Sequence, residues 1–255
     1  MIVACVENFL LNPTLPPVYS MHWNNIPDVI RHGQKSVFDA LGIPLIHENA
    51  NKKPHGVWMN EVIDRHESDA VIVFSDIDAF PIHAEAYARA VACAEEGGIF
   101  GLAQFSNHKK NLDIYAGPMF MAFRKSTWER LGRPQLRSSS DNDAAEVMSV
   151  LARKKDVALE LVYPSSCLIP KWALAEHGVF GIGTFYGQCD FFHLFESRRP
   201  AYERLFESVV SDVAAKRKLN FREYLCIADS AKTDRPEDLK KPGFRLRLKS
   251  LLTRK

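Results

Sequence analysis

What this chain lacks narrows its identity first. No stretch approaches the roughly 20 uncharged apolar residues that a membrane-spanning helix requires. The amino terminus, MIVACVENFLLNP, carries Glu7 inside its apolar run and no basic residue ahead of it. A secretory leader has a basic start and an unbroken apolar stretch, so the expectation is a cytoplasmic protein. Cysteine is sparse and scattered: Cys5, Cys93, Cys167, Cys189 and Cys226 lie far apart, without a C-x-x-C pair. That spacing fits neither a disulfide framework nor a zinc knuckle and points to reduced, mostly buried thiols. Internal repeats and low-complexity segments are missing too, which sets aside solenoids. A strong net charge is also lacking, at +2 over 255 residues, so the body offers no global surface for nucleic acid. That total hides an asymmetry, because residues 240–255 hold seven Lys/Arg and no acid, leaving −5 on the rest. A mildly acidic body thus ends in a basic tail suited to an anionic surface.

What is present is a core. With 46% hydrophobic residues, 255 positions suffice for one catalytic-sized α/β domain. Ile2 to Val6 reads as a first buried strand, and a proline-rich loop (Pro13, Pro16, Pro17) follows. Ile30, Val37, Phe38 and Leu41 recur at helical spacing from Pro27 to Leu41, and Gly42 stops that helix. A short strand (Ile43 to Ile46), a polar loop (Glu48 to His55), a helix with Val57, Trp58, Val62 and Ile63 on its apolar side, and the strand Ala70 to Phe74 come next. This β-α-β-α-β order predicts a parallel sheet, and strands that are apolar throughout belong to a sheet covered on both faces.

Beyond Pro81, Ala84, Tyr87, Ala88 and Val91 mark a helix closed by Gly97 and Gly98, then the strand Ile99 to Ala103. YAGPMFMAF (115–123) is a strand followed by a short helix from Ser126 to Gly132. The order then becomes that of a mostly parallel mixed sheet joined by one antiparallel strand. Ser138 to Asp143 is a polar loop feeding a helix with Ala144, Val147, Met148 and Leu151 on one face, and Ala158 to Tyr163 is a further strand. The glycines of HGVFGIGTFYGQ (177–188) lack the strand-turn-helix context of a dinucleotide fingerprint and are expected to shape a loop over the site. From Pro200, Tyr202, Leu205, Phe206, Val209, Val210 and Val213 form an amphipathic stripe, with a shorter helix around Phe221 to Ile227.

VIVFSDIDAF (71–80) carries the chemistry. Ligands gather at the carboxyl ends of strands in an open parallel sheet, where Asp76 and Asp78 sit. In an extended segment alternate residues point the same way, about 6.5 Å apart, so both carboxylates can approach one divalent cation while Ile77 faces the core. A hard ion such as Mn²⁺ or Mg²⁺ takes oxygen ligands and completes its shell with water and phosphate oxygens, which predicts a diphosphate-bearing substrate. A turn cap before Pro81 is the other reading of the pair.

FSDIDAF after an apolar strand resembles the D-x-D segment of GT-A glycosyltransferases, and further landmarks follow in that family's order. AGPMFMAFRKSTWERLG (116–132) resembles the strand and helix whose small residues, here Ala116 and Gly117, lie against the donor sugar. SSSDNDAAEV (138–147) is similar to the acidic loop that supplies a carboxylate, here Asp141 or Asp143. FFHLFESRRP (191–200) resembles the late segment that adds a histidine, here His193, to the metal. The resemblance implies a GT-A-like Rossmann-type mixed sheet flanked by helices over 1–200, a helical extension over 201–239 and the tail. It implies a nucleotide-binding half (1–78), an acceptor half (79–200), a UDP-linked donor and a saccharide or lipid-linked saccharide acceptor. Arg198 and Arg199 can clamp a diphosphate in two places, Asn8 can read the base through its amide, and Lys52 and Lys53 lie in a loop near a ribose or phosphate.

Other readings stand beside these. Asp141 and Asp143 can satisfy helix amides, with Ser140 and Asp143 as a capping pair. His193 can be a core histidine, and the arginines can be surface ion pairs. Haloacid-dehalogenase-type phosphatases also use D-x-D after apolar residues, with the first aspartate, here Asp76, as nucleophile. A catalytically inactive sugar-nucleotide-binding protein fits as well. In the tail, Phe244, Leu248, Leu251 and Leu252 stand at helical spacing among basic residues. The pattern is a basic amphipathic helix for peripheral contact with an anionic membrane at the inner face.

Overall fold

The computed structural model describes residues 15–106, 109 and 113–233. The expected strand at Ile2–Val6, Asn8 and the tail over 240–255 lie outside the described residues.

The first strand described is β1 (Val18–His22), in the stretch after the prolines that read as loop. It is followed by α1 (Asp28–Leu41), β2 (Leu45–Asn49), α2 (His55–Asp64) and β3 (Val71–Ser75). Gly42 ends α1 at a φ of 69°, its N–H donating to the Asp39 carbonyl at 3.1 Å and the following Ile43 N–H to the Phe38 carbonyl at 3.0 Å. Residues with a Cβ resist that left-handed conformation, which is why glycine stops the helix there. β2 runs three residues beyond its apolar stretch because it is the edge strand, pairing with β1 on one side only.

Next come β4 (Ala79–Pro81), α3 (Ala84–Glu95), β5 (Ile99–Phe105), β6 (Ile114–Arg124), α4 (Lys125–Arg130), α5 (Glu146–Lys154) and β7 (Leu159–Val162). Six strands form one sheet in the order β2-β1-β3-β6-β5-β7, and β6 alone opposes the rest. The expected α/β architecture, a mostly parallel mixed sheet flanked by helices, is the one observed. Alternation along β3 explains its unbroken apolar run. Ile72 and Phe74 join one core with Trp58, Val62, Phe123 and Met148, while Val73 joins the other with Val18, Phe100 and Phe120. Each such side chain, fully buried, contributes about 1.5–3 kcal/mol.

A second sheet corrects the sequence reading. β8 (Pro164–Ala173), β9 (Val179–Tyr186) and β10 (Phe191–His193) join β4 in the order β4-β10-β9-β8, antiparallel throughout. The glycine-bearing segment is therefore a buried strand and not a loop. The two glycines inside the strand mark close packing against β8: a Cβ on Gly181 would lie 2.4 Å from the Ile169 carbonyl oxygen, and one on Gly183 2.9 Å from the Leu168 side chain. Beyond it, α6 (Pro200–Ala214) lies against α1, with Phe206 and Val210 over Gly33. α7 (Phe221–Thr233), longer than its apolar stretch suggested, adds Tyr224 and Ala228 to the same core.

Cys93, Cys167, Cys189 and Cys226 are free thiols as expected, but less buried: three are partly covered and Cys226 is exposed. Cys93 and Cys189 pad the rim of the first core without entering it. Among the described residues no helix is long and apolar enough to cross a membrane.

Candidate metal and substrate site

At Ser75 the chain leaves the first sheet and must enter β4 of the second. It does so in a tight turn, with Ala79 N–H donating to Asp76 O at 3.0 Å and Asp76 N–H donating to Met119 O at 3.0 Å. The expectation of an extended D-x-D is thereby corrected, since a chain changing sheets has to reverse within a few residues. Ile77 still turns into the core at 8% exposure, and the two carboxylates still converge.

His193 reaches them through the second sheet. β10 pairs with β4 so that Phe192 faces Phe80 and His193 faces Ala79, and Leu194 N–H donates to Asp78 O at 2.9 Å. This register sets His193 Nε2 3.2 Å from Asp78 Oδ1 and 3.8 Å from Asp76 Oδ2. One ligand atom from each residue lies within 4.8 Å of the other two. The side chains are 28% (Asp76), 12% (Asp78) and 4% (His193) exposed, so the cluster opens to solvent mainly through Asp76.

Burial pushes the Asp76 carboxyl above the usual carboxylate range; His55 and His193 oppose that rise, and Asp78 and Asp143 add to it. Two half-desolvated carboxylates facing each other are costly without a compensating cation. Nε2 of His193 points at both, and its Nδ1 is buried with no hydrogen-bond partner among the described residues. An oxygen-rich set with one imidazole suits a hard or borderline divalent cation, so these residues fit one.

A cavity of about 650 Å³ lies over the cluster. That is within the span of roughly 300–1,000 Å³ usual for small-molecule sites. Trp23 and Ile26, just past β1, form one wall, and Arg198 and Arg199 border the opening. The Arg198 guanidinium sits 5.1 Å from the centre of the Trp23 ring, while Arg199 pairs with Glu196 at 3.0 Å. His55, the first residue of α2, brings Nδ1 to 3.7 Å from Asp76 Oδ1 and stacks on Trp58. The next residue, Gly56, lets the Leu136 backbone pack against the start of α2, because a Cβ there would lie 2.1 Å from the Leu136 carbonyl oxygen.

Asp143 stands on the cavity wall and Asp141 does not. Asp143 Oδ1 accepts from Ala144 N–H at 2.8 Å, and Tyr115 OH approaches Oδ2 at 3.5 Å. Its own N–H donates to Glu146 Oε2 at 2.6 Å, and that buried carboxylate also accepts from Ser106 Oγ at 2.9 Å. The expected Ser140–Asp143 capping pair is not formed: α5 starts only after Ala145, at a left-handed φ of 62°, with no side-chain cap, and Glu146 instead ties back the loop at Asp143. Burial, then Asp143, drives the Tyr115 hydroxyl well above its ordinary pKa. Asp141 is exposed in the preceding turn, its N–H donating to Ser139 Oγ at 3.2 Å.

Gly117 lies directly behind the wall formed by Gln104, Pro118 and Met119. A Cβ on it would meet Met119 Sδ at 2.4 Å and Gln104 Oε1 at 2.6 Å. The β5–β6 register jumps there, Leu102 facing Gly117 while Gly101 faces Met121, and this bulge carries Pro118 and Met119 to the cavity. Lys53 is paired with Glu61, and neither Lys52 nor Lys53 borders the cavity.

Sequence reasoning missed Trp23, His55 and Tyr115. Trp23 was hidden because β1 was not recognised. His55, directly after Pro54, carried a signal, since proline before the first helical residue places it at a helix start beyond a strand.

No protein-family model matches this chain, and no curated protein matches its sequence. Solved structures that resemble it include the protein A197 from STIV, at 8% identity over 71% of this chain and 95% of that one, with a TM-score of 0.43. Another is the 4-diphosphocytidyl-2C-methyl-D-erythritol synthase from Anaerococcus prevotii DSM 20548, at 10% identity over 60% and 90%, TM-score 0.41. A third is a glycosyltransferase involved in the glycosylation of the major capsid of PBCV-1, at 9% identity over 59% and 82%, TM-score 0.35. With TM-scores below 0.5, none of them defines what this chain does.

Proposed function

We propose that the protein is a metal-dependent glycosyltransferase, moving a sugar from a nucleotide diphosphate sugar, most simply a UDP-sugar, to a hydroxyl of a saccharide or lipid-linked saccharide. One observation carries this reading: Asp76, Asp78 and His193 converge within 4.8 Å beneath a cavity large enough for such a donor. Those three residues would hold Mn²⁺ or Mg²⁺, which when bound supplies positive charge to a diphosphate. Arg198 and Arg199, at the same opening, offer guanidinium donors to phosphate oxygens.

The acceptor oxygen forms its bond to the anomeric carbon as the bond from that carbon to the diphosphate breaks, and the electron pair leaves with the diphosphate. The acceptor's proton goes to a carboxylate. Asp143 is the residue we assign to this role, because it stands on the cavity wall with one oxygen fixed by Ala144 N–H. Asp141 remains the second candidate from the same loop. Gly117 lets the bulge of β6 close on the donor sugar, Asn8 contacts the base, and the chain divides near Asp78 into donor and acceptor halves. The basic tail brings the protein to an anionic membrane surface at the cytoplasmic side, where a lipid-linked acceptor would lie.

Calorimetry of UDP with and without Mn²⁺ tests the proposal. Binding that requires the ion supports it, and equally tight binding without any divalent ion refutes it. Phosphate trapped on Asp76, with turnover of simple phosphomonoesters, would establish the dehalogenase-type alternative. Mn²⁺-dependent UDP binding with no hydrolysis or transfer of any UDP-sugar would leave a binding protein.

A further inference from the structure

We infer that Gln34 is a positioning residue for the cation site, acting through the backbone of the Asp76–Ala79 turn; the inference rests on reading that turn as part of a metal site. Gln34 lies on α1, in the stripe that also buries Ile30, Val37 and Phe38, and it is completely buried. An amide in such a stripe needs partners for both ends, since an unsatisfied buried polar group is destabilising. Gln34 Nε2 donates to Asp76 O at 2.7 Å and to Ala79 O at 2.8 Å, and Ser75 Oγ lies 3.3 Å away. The two amide protons therefore bind the carbonyls at both ends of the turn that presents the carboxylates.

The orientation of this amide is itself held. His47, on β2, brings Nε2 to 2.8 Å from Gln34 Oε1. Burial, with His22 and Arg31 adding to it, lowers the His47 pKa to about 4. The ring is thus neutral at physiological pH and donates its Nε2 proton to Gln34. Ser75 Oγ also approaches Asp76 O at 3.1 Å and Ala79 O at 2.9 Å, but it has one proton to give. Serving both carbonyls at once takes the amide. The neighbouring strands reach the turn through Asp76 N–H to Met119 O and Leu194 N–H to Asp78 O, whereas Gln34 holds the carbonyls of Asp76 and Ala79 together, and residues behind a metal site typically set ligand geometry in this way.

Gln34→Met keeps the length and apolar stem but removes both donors. In the metal-free protein, the Ala79 amide of this variant is expected to exchange its proton at least tenfold faster than in the parent, while the Val73 and Phe74 amides of β3 change only with global stability. Mn²⁺ affinity without nucleotide, followed by electron paramagnetic resonance, should weaken about 10- to 100-fold. Val209→Ala, a core truncation in α6, gives the control for general destabilisation. His47→Leu, which leaves Gln34 in place but frees its amide to turn over, should show the same pattern more weakly and serves if Gln34→Met does not fold. Ala79 exchange and Mn²⁺ affinity no more altered than in Val209→Ala would overturn the inference. If the parent protein binds no Mn²⁺ even with UDP present, the proposed function and the cation-site role of Gln34 fall together, whereas parental Mn²⁺ binding with unaltered Ala79 exchange in Gln34→Met overturns the inference alone.

Discussion

Replacing Asp78 by asparagine tests the cation site at its most buried carboxylate. The two aspartates present oxygens within 4.8 Å of each other. At that separation, two unit charges repel by about 3 kcal/mol at an effective dielectric of about 20. His193 and His55 offset part of this, and the raised pKa of Asp76 offsets more. Metal-free Asp78→Asn should therefore be as stable as the parent or slightly more so. The metal response should go the other way. At a free ion concentration about 100 times the dissociation constant, binding stabilises the native state by about 2.7 kcal/mol. For a chain of this size that raises the melting temperature by about 5–11 °C. If loss of a direct ligand weakens binding by about 100-fold, the same concentration yields only about 0.4 kcal/mol, or about 1 °C. A thermal-shift titration with MnCl₂ and UDP, run on both proteins, reads the difference. A parental shift that Asp78→Asn reproduces in full would refute the shared cation.

Asp143→Asn should lower transfer about 10²- to 10⁴-fold with little change in stability, as loss of a general base does, whereas Asp141→Asn should stay near the parental rate; steady-state kinetics on both variants decides between them. His47 provides a pH signature. Its folded pKa of about 4 lies below the unfolded value, near 6.5. The unfolded chain then binds the extra proton between those values, so stability is fully present above about pH 6.5 and falls by roughly 3 kcal/mol as pH drops to about 4. Urea midpoints at pH 7 and pH 4.5 should show a smaller difference in His47→Gln than in the parent, and equal differences would assign the effect elsewhere. Deleting residues 240–255 should abolish salt-sensitive binding to anionic liposomes and leave hydrolysis of a nucleotide sugar intact, as read by co-sedimentation and product assay.

The sequence by itself determined the layered part of this protein. Period-3.6 stripes such as Ile30, Val37 and Phe38, and strands apolar at every position such as VIVF, state which faces meet a core, and local physics enforces them. Asp76 and Asp78 were legible too, because a carboxylate pair at a strand end is a local pattern. The second sheet was not. β4 and β10 are three residues each, too short for any periodicity, and β9 is broken by glycines that read as loop until β8 is seen pressing against them. Gln34 stood in the helical stripe as a polar residue out of place, a signal that becomes interpretable only once its acceptors are known.

Only the tertiary structure decided what gathers around the carboxylates. The β4–β10 ladder sets His193 opposite Ala79, and with it the spacing of the three candidate ligands. Packing of α5 after the 139–142 turn turns Asp143 to the cavity and leaves Asp141 in solvent, two residues apart with identical chemistry. Residue type and spacing carry the information for helices and strands because those contacts are local. The meeting of Asp76, Asp78, His193 and Gln34 joins residues from opposite ends of the chain, and its geometry comes from register and sheet exchange that no short window of sequence contains.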